Sequence, residues 1–147
     1  MYRTVRGRPL AFDEFRLAEA SGKRRKGSRV ENLRKLTAGE RAALEKMAGR
    51  LPMDAGCQLL KDVDVCSVAA QTADGSLIRF DLPAYPRPTC AGQHAYAIEG
   101  VVTNLDQAEI TVCIYADVKD RLLELELIKW EDTPILGPDW GTFRVAW

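Results

Sequence analysis

At Cys57 the spacing of apolar residues changes, and no other feature restricts the fold of this chain so tightly. Before it, Ala43, Leu44, Met47, Ala48 and Leu51 recur at intervals of three and four and form one stripe along a helix. After it the period is two. Leu59 and Leu60, then Val63, Val65 and Val68, precede the turn signal Asp74-Gly75-Ser76, and Leu77 to Leu82 read as a returning strand, which together predict a hairpin. Further strands are predicted over residues 94–103, 109–116 and 122–130. In Leu123-Glu124-Leu125-Glu126-Leu127 the alternation is strict, which predicts one packed and one wet face.

The helix over residues 38–50 has a start signal in Thr37-Ala-Gly-Glu40, the spacing of a capping box. A second helix is expected over residues 11–20, after Pro9, and would bury Phe12, Phe15 and Leu17. Prolines 83, 86 and 88 with Gly92 make residues 84–93 a loop, since proline cannot donate to a strand ladder. The fold class expected is α+β: two N-terminal helices, joined by a basic loop, packed on an antiparallel meander of about five strands. At 147 residues one core is expected, with a basic segment over 1–33 and an α+β domain over 34–147. Leu44, Met47, Val65, Phe80, Val102, Ile114, Leu125 and Leu127 are the expected core.

Charge is distributed unevenly. Residues 1–50 hold 14 Lys or Arg and 6 Asp or Glu, net +8, and residues 51–147 hold 7 and 15, net −8, so the chain as a whole is neutral. Five cations, Lys23, Arg24, Arg25, Lys26 and Arg29, crowd into the tract SGKRRKGSR. Glycines and serines around them predict a solvated loop in weak contact with the acidic body. Gripping a nucleic acid is the alternative, but interleaved aromatics and a continuous basic helix face are both absent.

A resemblance appears over residues 34–136. Arg34-Lys-Leu36-Thr-x-x-Glu40, then Asp74-Gly75-Ser76-Leu77-x-x-Phe80, then Glu124-Leu125-Glu126-Leu127-Ile128-Lys129-Trp130 resemble a family of small bacterial proteins of unknown function. The family carries a longer glycine-rich turn than Asp74-Gly75-Ser76 and tends to have aspartate where Glu126 stands. The resemblance implies a helix against a meandering sheet and brings no catalytic motif. By analogy of fold with immunity proteins of bacterial toxin systems, it implies a non-enzymatic protein-binding role, neutralising a toxin.

Residues able to carry chemistry are few. His94, the sole histidine, lies four residues after Cys90, and a thiolate–imidazole pair there would make an unrecognised enzyme the second alternative. Asp62 with Asp64 and Glu124 with Glu126 sit at i, i+2 in strand-like runs, each pair on one face expected to be solvated. Cys57, Cys66, Cys90 and Cys113 are 9, 24 and 23 residues apart, which predicts no structural zinc; no cofactor or catalytic residue is expected. Trp140 and Trp147, with Glu124 and Glu126, are the candidate protein contacts. The tail is otherwise expected to fold back over the core. The absence of an apolar run near 20 residues, and of a secretory signal after Met1, predicts a cytoplasmic protein that does not engage membrane.

Overall fold

The computed structural model describes residues 33–89 and 92–146. The expected helix over 11–20, the basic tract, Cys90 and Trp147 lie outside them.

Helix α1 (Ala38–Ala48) begins as its sequence requires. Thr37 Oγ1 accepts the Glu40 amide at 3.1 Å, and Glu40 Oε1 accepts the Thr37 amide at 2.9 Å. Its stripe buries Ala43, Leu44, Met47 and Ala48. Helix α2 (Met53–Val65) corrects the expectation of a strand near residues 59–65. Gly56, Leu59, Asp62 and Val63 are its buried positions, spaced three and four apart, so the helical period continues past Cys57 and the doublet Leu59-Leu60 belongs to it. Val65, expected in the core, is 53% exposed, because the last helical turn rotates it outward. The same rotation separates Asp62, fully buried, from exposed Asp64, so the two do not share a face.

Six strands follow: β1 (Ser67–Gln71), β2 (Leu77–Asp81), β3 (Gln93–Asn104), β4 (Glu109–Asp117), β5 (Leu122–Lys129) and β6 (Pro138–Val145). They form one antiparallel sheet in the order β1-β2-β5-β4-β3-β6. The expected hairpin is β1-β2; Asp74 Oδ1 accepts the Ser76 amide, and Gly75, at φ +74°, supplies the left-handed residue of the turn. Strands β3, β4 and β5 are a meander, but β2 pairs with β5 rather than β3. The sixth strand was not foreseen. Pro138 and Gly141 weaken its signal, and both are tolerated because β6 is an edge that, among the described residues, pairs only to β3.

The sheet is curled around α1. At one edge Arg34, just before the helix, bridges Val68 of β1 through two backbone hydrogen bonds; at the other, Gly39 approaches Trp140 of β6 so closely that a Cβ would lie 2.4 Å from the indole's own Cβ. Inside the curl Leu44, Met47, Leu59 and Val63 meet Phe80, Val102, Ile114, Leu125, Leu127 and Phe143. Of the expected core, all but Val65 is there.

Candidate protein interface

The two ends of the sheet treat their charges differently. At the end where β4 stops and β5 begins, α2 presents Asp62 inward. Arg121 grips both its oxygens through Nε and Nη2 at 2.8–3.2 Å, and the Leu122 amide adds a bond at 3.0 Å. This hydrogen bonding raises the Arg121 pKa further. Beside it, Asp117 accepts from Tyr85 Oη at 2.8 Å, Arg87 Nη1 at 2.9 Å and the amides of Lys119 and Arg121. Burial would push the Asp117 carboxyl up, but these bonds outweigh it and hold the group below 3.8. The Tyr85 ring lies 4.4 Å from the Arg121 guanidinium and 5.5 Å from that of Arg87. Tyr96 is half-buried, and that burial, with Asp62 and Asp117 nearby, pushes its phenol well above 10.0. The cluster is a brace, with its carboxylates turned toward their own guanidinium groups.

The other end is open. The β1-β2 turn divides two clefts of about 240 and about 590 Å³. The smaller lies between Glu40, Asp74, Ile78 and Trp140. The larger is lined by Asp74, Glu126, Glu131 and Asp132, by Lys129, the one cation among its described residues, and by Trp130. Lys129 is engaged by Asp106 and by the Pro134 carbonyl at 3.1 Å, and its bond draws the Asp106 carboxyl down to about 2. The Trp130 indole donates to Thr111 Oγ1 at 3.0 Å and is 46% exposed. Glu131 and Asp132 are exposed. An amphipathic ring amid carboxylates can accept an arginine or lysine side chain by stacking and by charge.

The sequence-level candidates are dispersed over this frame. Glu124 and Glu126 are neighbours on β5 but are buried, at 0% and 5% exposure, which overturns the expected solvated face. Alternation assigns residues to a face and is silent about what lies over it. Trp140 is half-buried against Phe143, ring centroids 6.4 Å apart, and closes the curl, so this part of the tail folds back as expected. His94 Nε2 is 2.9 Å from Asp120 Oδ1, both exposed; its expected companion Cys90 lies outside the described residues. Lys23, Arg24, Arg25, Lys26, Arg29 and Trp147 also lie outside them. Sequence reasoning missed the Asp62–Arg121 pair, 59 residues apart, and the acidic cleft. The cleft's signal was Lys129-Trp130-Glu131-Asp132, an indole next to two carboxylates.

Among the described residues no three His, Cys, Asp or Glu are grouped to hold a metal, and no helix is long and apolar enough to cross a membrane. Compared with known protein families, curated proteins and solved structures, this α+β chain matches none.

Proposed function

We propose that the protein is a non-enzymatic protein-binding domain whose open, acidic end takes a basic partner in a one-to-one complex. The observation that carries this is the larger cleft, where an exposed indole stands beside Asp74, Glu131 and Asp132. Aromatic anchors ringed by complementary charge favour specific association, and the charge raises the on-rate. The family resemblance points to a basic catalytic domain of a bacterial toxin, such as a nuclease, as the partner class, with neutralisation as the outcome.

The test begins with the neighbouring reading frame: a toxin-like domain encoded there is the partner to assay, and its absence counts against neutralisation. One-to-one binding is expected, with an on-rate that falls as salt rises. Trp130→Ala weakens it at least tenfold, and Glu131→Lys with Asp132→Lys slows association. Binding indifferent to all three changes would sink the proposal. So would a turnover found in an activity screen and lost in Cys90→Ala or His94→Ala.

A second reading, nucleic-acid binding, rests on the five cations of residues 21–29. It requires binding that falls steeply between about 50 and 200 mM salt and vanishes when Lys23, Arg24, Arg25 and Lys26 become serine.

A further inference from the structure

Residues 130–137 join β5 to β6 without helix or strand, and residues 130–135 line the larger cleft. Holding such a segment in one shape costs conformational entropy that specific bonds must offset. The β3–β4 turn supplies them. Asn104 is buried, and its Oδ1 accepts the amides of both Leu136 and Gly137 at 3.0 Å. The Leu105 amide donates to the Gly137 carbonyl at 3.1 Å, and Gly137 adopts φ +153°, a backbone that side chains avoid.

Both ends of the Asn104 amide are engaged. Its Nδ2 donates to Asp106 Oδ1 at 2.8 Å, and that oxygen also accepts the Ala108 amide at 3.0 Å. The other oxygen of Asp106 engages Lys129 Nζ, and Lys129 donates in turn to the Pro134 carbonyl at 3.1 Å. The far half of the loop is therefore tied at residues 134, 136 and 137 to one short turn and the lysine that turn holds. At the near end the Trp130 indole is tied to Thr111 of β4. The Lys129 side chain is 2% exposed and paired with Asp106, whereas Glu131 and Asp132 stand in water, so the cleft keeps its acidic rim.

We propose that the β3–β4 turn is the positioning element of this cleft: Asn104 and Asp106 hold the loop so that Trp130, Glu131 and Asp132 stand in place before a cationic partner arrives. This rests on the reading of the larger cleft as the interface. Neither Asn104 nor Asp106 lines the cleft, and Asn104 carries no charge, so the effect of Asn104 on binding runs through the loop. A buried polar network with its members paired fixes one arrangement, and a site ordered in advance loses less freedom on binding.

The test is amide hydrogen exchange on the full chain, with and without a hexa-arginine peptide as probe, together with calorimetric titration of the same peptide. In the wild type the Leu136 and Gly137 amides exchange at least about a hundredfold more slowly than in an unstructured peptide, equally with and without hexa-arginine. Exchange at the unstructured rate, or protection that appears only with the probe, overturns the proposal. Asn104→Ala removes the acceptor; Asn104→Asp keeps it but sets a second carboxylate against Asp106. Each speeds exchange at Leu136 and Gly137 about tenfold while the amides of β4 stay protected. Asn104→Ala also weakens hexa-arginine binding about fivefold with its salt dependence unchanged. Exchange unchanged in either variant, or affinity unchanged in Asn104→Ala, with β4 still protected, overturns the proposal. If the variants do not fold, wild-type exchange decides alone. Failure of hexa-arginine to bind the wild type counts against the proposed function, and exchange then decides the role of the turn by itself.

Discussion

The two ends of the sheet are built from the same residue types and do opposite things with them. Where β4 turns into β5, Asp62 and Asp117 are wrapped by Arg121, Arg87 and Tyr85. Where β5 ends, Glu131 and Asp132 are left in water beside the half-exposed indole of Trp130. The difference lies in placement. A helix one layer away carries Asp62 inward, and burial obliges the fold to supply a guanidinium; the loop after Lys129 leaves its carboxylates wet at no such cost. One end uses its charge to hold the fold, and the other leaves it at the surface.

The contrast breaks most directly at Arg121. Arg121→Ala strands a buried carboxylate and is expected to cost about 3–5 kcal/mol in denaturant unfolding, with most of it recovered by Asp62→Leu with Arg121→Met. A loss under about 1 kcal/mol would show that the brace does not hold the fold. Gly39→Val, which drives a side chain into Trp140, is expected to cost about 1–3 kcal/mol. Thr37→Ala removes the α1 cap at about 1 kcal/mol.

Acid sharpens the comparison. The folded-state carboxyls of Asp117, Asp74 and Asp106 lie below their usual 3.8, the last at about 2, so their contribution is fully present above 3.8. It is lost as pH falls from there toward 2. Asp117→Asn should flatten that acid limb of a stability–pH curve. The smallest effect belongs to the open end: Glu131→Lys with Asp132→Lys should change stability by no more than about 0.5 kcal/mol.

What was legible in the sequence was local. Thr37 and Glu40 announce a cap through three residues of spacing, Asp74-Gly75 announces a turn, and Val102, Ile114 and Leu125 announce strands by their neighbours. Helix α2 was hidden because Val63 and Val65 mimic a period of two at its C-terminal end, while Leu59 and Val63 carry the true period of four. Strand β6 was hidden by Pro138 and Gly141, whose fitness for an edge depends on a pairing to β3 decided elsewhere in the chain. The partners of Asp62 were beyond reach for the same reason. Arg121 comes to it only when the β4-β5 turn closes against α2.

The curl around α1 also bears on how the molecule behaves in a crowd. An open sheet offers two rows of backbone donors and acceptors to any strand that drifts by, and polymerisation along such rows is a standing hazard for antiparallel proteins. Here one margin is the short, bulged β1, occupied in part by Arg34; the other is β6, interrupted by Pro138 and Gly141 and marked with Asp139 and Arg144. Because the same helix draws both margins inward, neither presents a long flat ribbon, and the fold resists fibre growth by its shape as much as by its charge.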